Sequence, residues 1–237
     1  MMERLDKIVA SQGKLSRSDV KKMVKSGRIT VDGAVPKSAD LKIDAQTAVI
    51  AIDGKILGYK KHIYIMLNKP QGVISASNDK TQKTVVDLVP PELFRDGLFP
   101  AGRLDGDTRG FVLITDDGDF AHRILSPKNH IMKTYHAELK HALTEEDIAA
   151  FKNGIELADG TLCLEAEVRM LDTEKPTAEV KICEGKYHQV KRMFAALGNK
   201  VVDLRRVKMG ALSLDETLEE GQCREITDEE KVLIELR

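Results

Sequence analysis

The chain has 237 residues, room for one small domain and one of ordinary size, and 42 % of them are hydrophobic, which excludes global disorder. Trp is absent and aromatics are few, so the expectation is an aliphatic core; the three cysteines, Cys163, Cys183 and Cys223, form no CxxC pair, which argues against a disulfide framework or a zinc site and fits a reducing cytoplasm. A formal net charge of −1 hides nine Lys/Arg against four Asp/Glu in residues 1–37, seven against two in residues 184–210, and three against nine in residues 213–237.

Two basic islands masked by an acidic tail suit a polyphosphate partner, because each neutralised phosphate releases a condensed counterion. Solvated Lys-rich faces would give the same pattern. No apolar run approaches the roughly 18 residues of a membrane span. The opening residues, MMERLDKIVASQ, alternate charge with aliphatics and lack the apolar stretch of a signal peptide. The expectation is a cytoplasmic monomer with no membrane partner.

Residues 3–25 predict two short helices. Leu5, Ile8 and Val9 share a helical face; Ser16 is placed as an N-cap, with Asp19 in capping-box position and Val20, Met23 and Val24 as the apolar stripe. Gly27 suits the C′ position. Ile29 and Val31 then alternate with polar residues before the Asp32-Gly33 turn, and a second strand is predicted over Thr47–Ile52 before Asp53-Gly54. The polar stretch Asp53–Lys61 is read as a linker. Strands are predicted over Ile63–Leu67, Phe111–Thr115, Tyr135–Leu139, Cys163–Met170, Ala178–Cys183 and Val201–Val207, with helices at about 118–125, 144–153 and 188–197. Thr144 caps the second of these helices, and Gly198 follows the third. Strands and helices without regular βαβ alternation predict an α+β fold on a mainly antiparallel, mixed sheet with flanking helices.

The most distinctive stretch is PAGRLDGDTRG, Pro100 to Gly110, whose three glycines permit unusual backbone angles and close approach of a ligand. An aspartate held there, Asp105, can serve as nucleophile or general base, can pair with Asp107 on a divalent metal, or can simply satisfy loop amides. Asp107 has no third hard ligand nearby in sequence, which favours a structural part for it. There is no GxGxxG, Walker loop or His/Cys cluster.

The run GRLDGDTRGFVLITDDG, followed by KTY at 133–135 and EGKYHQVKRMFAALGN at 184–199, resembles the RsuA-type pseudouridine synthases in order and spacing. MLNKPQG at 66–72 is similar to that group's opening strand and loop, and the N-terminal module resembles an S4 RNA-binding domain through RLDK at 4–7, SR at 16–17 and GRITVDG at 27–33. The resemblance implies an S4-like domain over residues 1–58, then a synthase domain over residues 59–237. It implies that Asp105 is the essential nucleophile, Tyr135 the active-site tyrosine, and Lys191 the cation that pairs with the aspartate. Arg103 would help displace the target base, with Arg192, His188 and Gln189 as further RNA contacts; His188 and Gln189 equally suit fixing the loop before the helix. Arg4, Lys7, Arg17, Lys21, Lys22, Lys25 and Arg28 are the implied phosphate contacts of the first module, giving affinity and register. The implied chemistry uses no cofactor and no metal. The implied substrate is 16S rRNA in a partly assembled small subunit, at a single uridine, position 516. Alternatives are a large-subunit (23S) rRNA synthase of the same family, a non-catalytic RNA-binding or assembly factor, and a DxD metal-dependent transferase.

Overall fold

The computed structural model describes residues 2–13 and 15–236; Lys14, counted in the first basic island, lies outside them. The chain divides into two compact units, Met1–Ile63 with Pro90–Leu98, and Tyr64–Val89 with Phe99–Arg237.

The first unit contains β1 (Met2–Arg4), α1 (Leu5–Ser11), α2 (Arg17–Lys25), β2 (Ile29–Val31), β3 (Lys42–Asp44), β4 (Ile50–Ile52) and β5 (Lys55–Ile56). β1 pairs antiparallel with β3, and β2, β4 and β5 form a second antiparallel sheet. The capping box forms as the sequence predicts: Asp19 N donates to Ser16 Oγ, and Ser16 N donates to the Asp19 carboxylate. Leu5, Ile8, Val20, Val24, Ile29 and Ile50 make the aliphatic core. Two expectations need correction. The predicted strand over Thr47–Ile52 is extended only from Ile50, because Thr47 N and Ala48 N turn back onto Asp44 O. The predicted linker Asp53–Lys61 is folded: β5 pairs with β4, Lys60 N donates to Gln12 Oε1 at 2.9 Å, and Leu57 and Tyr59 pack on the core. From the Pro90–Leu98 segment, buried Arg95 donates to Lys60 O and Gln12 Oε1.

The second unit contains β6 (Tyr64–Lys69), β7 (Phe99–Ala101), β8 (Arg109–Thr115), α3 (Gly118–Leu125), β9 (Lys133–Leu139), α4 (Glu145–Asn153), β10 (Glu167–Asp172), β11 (Thr177–Ile182), α5 (Gln189–Ala196), β12 (Val201–Met209), β13 (Leu212–Ser213), β14 (Cys223–Glu225) and α6 (Asp228–Glu235). Among the described residues nine of these strands form one sheet in the order β10-β11-β9-β12-β8-β6-β14, with β13 on β12 and β7 on β8. Only β12–β8 is parallel, so the sheet is mixed and mainly antiparallel. The fold is α+β, a small helix-and-strand unit followed by this sheet with flanking helices.

The acidic tail is part of this unit rather than a solvated extension. Leu212, Leu214, Ile226 and Ile234 enter the core beside Phe111 and Phe120. Arg224 bridges Asp215 (2.5 Å) and Glu230 (2.7 Å), which gathers the tail's acids onto one guanidinium. The predicted strand Cys163–Met170 begins only at Glu167, because Cys163 N is spent on Ile155 O and the preceding residues turn. All three cysteines are free thiols. No helix among the described residues is long and apolar enough to cross a membrane.

Candidate active site

Two segments build the site: the loop between β7 and β8, residues 102–108, and the connection from β11 into α5. The first starts where two strands of a buried sheet end, so its backbone polar groups need partners. Buried Ser75 satisfies both sides of Leu104, donating to its carbonyl at 2.8 Å and accepting from its amide at 2.9 Å. Gly72 N donates to Gly106 O, and Thr108 N closes a turn on Asp105 O. Lys69, fully buried at the end of β6, donates its ammonium to Pro70 O (3.0 Å), Thr108 O (2.9 Å) and Gly106 O (3.3 Å). Burial pushes its pKa down to about 8, against the raising effect of Asp107 and Asp105. At the loop's far end, Gly110 has φ +98° and a Cβ there would stand 2.2 Å from Arg206 O, so β8 and β12 can close only over a glycine. Arg109 anchors the same point through Asp203 (2.5 Å) and Glu220 (2.6 Å), which raise its pKa.

The loop thus presents Asp105 as a partly exposed carboxylate. Its Oδ2 lies 3.5 Å from Lys191 Nζ and its Oδ1 lies 3.3 Å from His188 Nε2. Lys191 approaches Asp107 more closely, at 2.5 Å, and holds that carboxyl below the usual range. The cation between the two carboxylates of the DxD pair is therefore a protein side chain. Arg103, Asp105, Tyr135, His188 and Gln189 line one narrow cavity of about 60 Å³, well under the roughly 300 Å³ at the lower end of small-molecule sites. Arg103, one of its lining residues, is exposed.

Lys191, in the first turn of α5, faces the carboxylate while Val190, Met193 and Phe194 face the core. The adjacent Arg192 points elsewhere, pairing with Asp159 at 2.6 Å and donating to Tyr187 O. Gln189 is 4 % exposed and its amide is occupied: Oε1 accepts from Lys186 N and Nε2 donates to Glu184 Oε1. His188 is held in the left-handed region, φ +48°, and stacks on Tyr187 with ring centroids 3.8 Å apart. Tyr187 itself is 75 % exposed, an aromatic ring offered to solvent beside His188. Sequence reasoning missed Lys69, Ser75, Glu184 and Tyr187. Tyr187 had a signal, an aromatic inside a basic block; Lys69 and Ser75 are explained only by backbone groups brought in from distant segments, and Glu184 by Leu164 N together with the nearby Gln189 and Lys186 side chains.

In the first unit, several cations expected to meet phosphate have protein partners. Arg4 forks onto buried Asp6 (3.0 and 2.7 Å), Arg28 forks onto Asp53 (2.7 and 2.6 Å), Lys7 pairs with Glu3, and Lys22 lies 3.7 Å from Asp19. Arg17, Lys21, Lys25 and Lys37 make no ion pair among the described residues, and the last three line one concavity with Arg4.

A loop-borne carboxylate matched to a lysine thus stands on a mixed sheet that follows a small basic module. Residues 63–196 match the family model described as RNA pseudouridylate synthase, and residues 3–49 match that of the S4 domain. The chain belongs to the RNA pseudouridylate synthase family and carries an S4 domain. It is 46 % identical to the uncharacterized RNA pseudouridine synthase YtzG of Bacillus subtilis (strain 168), over 98 % of both chains. It is 41 % identical to ribosomal small subunit pseudouridine synthase A of Salmonella typhimurium, over 96 % of this chain and 97 % of the relative. A crystal structure of a pseudouridylate synthase superposes with TM-score 0.68 at 40 % identity, covering 98 % of this chain and 99 % of that one.

Proposed function

We propose that this synthase isomerises a single uridine of small-subunit (16S) ribosomal RNA, at position 516, using Asp105 as the nucleophile. The observation that carries the reading is the placement of the Asp105 carboxylate between Lys191 and His188, in one cavity with Tyr135 and Arg103. The choice of small-subunit RNA is supported by near full-length likeness to synthases named for that subunit.

The target nucleotide leaves its stack, at a cost of about a few kcal/mol, and enters the cavity past Arg103, whose guanidinium takes the vacated space. The uracil ring lies on Tyr135, buried in β9. A carboxylate oxygen of Asp105 attacks ribose C1′ or ring C6. The N1–C1′ bond breaks, the ring turns, C5 bonds to C1′, the bond from the Asp105 oxygen to C1′ or C6 breaks to restore the carboxylate, and the C5 proton is lost while N1 gains one. Atoms and charge balance within the nucleotide, so the reaction draws on no external oxidant or group donor. Lys191 faces the negative charge carried by the nucleophile, and its second contact, Asp107, keeps the ammonium in place between turnovers. His188 and Gln189 shape the wall, the latter by bracing the loop through Glu184. The first unit, whose edge lies at Ile63 rather than at the expected residue 58, holds the RNA through Lys21, Lys25 and Arg17, the second carries out the isomerisation, and the enzyme acts in the cytoplasm as a monomer on a partly assembled subunit.

The test is Asp105→Asn on small-subunit RNA. The expected result is loss of pseudouridine, read by base-specific mapping, with RNA affinity retained. Wild-type turnover in this variant overturns the nucleophile assignment. Mapping of both ribosomal RNAs from cells lacking the protein is expected to show one missing pseudouridine in the small-subunit RNA; a loss in large-subunit RNA overturns the substrate assignment.

A further inference from the structure

A second cavity, of about 470 Å³, adjoins the one that holds Asp105; Lys191 and Asp107 line it, and Leu204 lines both. Its volume falls within the roughly 300–1,000 Å³ of small-molecule sites. Ala195 at the end of α5 and Val201 and Val202 at the start of β12 give it an apolar wall, and Val202 is 60 % exposed.

The polar groups of this cavity are largely spent on the protein itself. Asp203 is held by Arg109 and by Gln71 Nε2 at 3.2 Å, and Asp107 by Lys191. Asn199 accepts from His141 N and Lys200 N and donates to His141 O. Both acids in the wall thus have a cationic partner, which each shares with a second carboxylate, Asp105 or Glu220, whereas the exposed Lys200 ammonium forms no ion pair among the described residues. An apolar wall with a single unmatched cation at its edge fits a ligand with a flat face and one negative charge.

We infer that this cavity receives the nucleotide directly adjoining the target uridine in the same RNA strand, its base against Val202 and Ala195 and its phosphate at Lys200. The inference rests on the assignment of the Asp105 cavity to the target uridine, because continuity with that cavity decides the occupant: a strand placing one nucleotide at Asp105 brings its neighbour to Lys191 and beyond. The wall supplies stacking area rather than base-edge donors, so it holds any base and favours the larger ring systems. The cavity makes the neighbour a determinant of which uridine is modified.

The experiment measures kcat and KM for pseudouridine formation on small-subunit RNA. The enzymes are wild type, Ala195→Phe, which fills the cavity, Val202→Glu, which charges its wall, and Lys200→Ala. Each RNA is used intact and with an abasic site just before or just after the target. All three positions are exposed, and thermal unfolding confirms that the variants fold. The expected result is a rise in KM of about tenfold for Ala195→Phe and Val202→Glu, the scale of removing one stacked base, with kcat within about twofold. One abasic site raises the wild-type KM equally and leaves the two variants indifferent. Lys200→Ala is expected to raise KM less and to flatten its salt dependence. Unchanged KM in the two cavity variants, or abasic penalties identical in wild type and variants, overturns the inference. Absence of pseudouridine with wild type on intact RNA overturns the uridine reading, and this inference with it.

Discussion

Lys69 and Lys133 are both buried lysines whose pKa is pushed down to about 8 by desolvation, in Lys133 with Arg206 adding to the effect. Each is held by backbone carbonyls, Lys133 by Cys183 O at 3.1 Å and Lys69 by three acceptors of the Asp105 loop. Between pH 8 and the ordinary value of 10.5 the unfolded chain binds more protons at these sites than the folded one, so each contributes a rise in stability with pH across that window. Lys133→Met is expected to flatten that rise, measured by urea unfolding at pH 8 and pH 10; a slope equal to that of the wild type contradicts the burial argument. Gly110 poses a harder constraint. With Arg206 O 2.2 Å from any added Cβ, Gly110→Ala must push apart β8 and β12. A fall of several degrees in Tm is expected by calorimetry, together with loss of activity, and a wild-type Tm contradicts the close approach. At this scale ordered blocks in the sequence pointed to Asp105, Lys191 and Tyr135, which the fold brings near one another, but gave no sign of Lys69. A lysine ending an apolar run reads as the solvent end of a strand until the carbonyls of Gly106 and Thr108 are brought to it.

Among the elements, helices are the more legible. Ser16 and Thr144 form capping boxes with Asp19 and Asp147, and Gly27 and Gly198 adopt the positive φ that their C′ positions require. These signals are local, so no tertiary contact is needed to read them. The sequence TDEE at 227–230 carries the same signal, and Thr227 caps α6 with Glu230; the surrounding run of acids obscures it. Thr227→Ala is expected to cost about 1 kcal/mol of stability by urea denaturation, and no change would mean that the cap is idle. Strands β7, β13 and β14 have two or three residues each and owe their existence to the strand beside them. No periodicity can emerge over so short a span. The extent of β4 and β10 is hidden for a related reason: extended-looking residues before Ile50 and Glu167 are diverted by hydrogen bonds to Asp44 O and Ile155 O.

On the scale of the whole chain, charge is the feature that composition describes least well. The net value of −1 is a sum over groups of different fate. Asp215, Glu220 and Glu230 of the tail are consumed by Arg224 and Arg109, and Arg4 and Arg28 of the first module are consumed by Asp6 and Asp53. Of the first module's expected phosphate contacts, Arg17, Lys21 and Lys25 make no ion pair among the described residues, and neither does Lys37 beside them. Replacing Lys21, Lys25 and Lys37 together with Ala is expected to weaken RNA binding at low salt. The slope of log K against log salt should fall by about 0.7 to 0.9 for each phosphate no longer neutralised; an unaltered slope removes this face from the RNA interface.

The order of the large sheet ties the start of its unit to the close: β14, drawn from residues 223–225, zips onto β6, the first strand made. During synthesis one margin of β6 therefore stays uncovered until nearly every residue of the unit has emerged, and an unpaired margin is a template for adhesion to other chains. Removal of residues 222–235 would leave that margin open for good. Joining residues 64 and 235 through a short spacer and cutting elsewhere would instead shift the vulnerable moment to another point in synthesis.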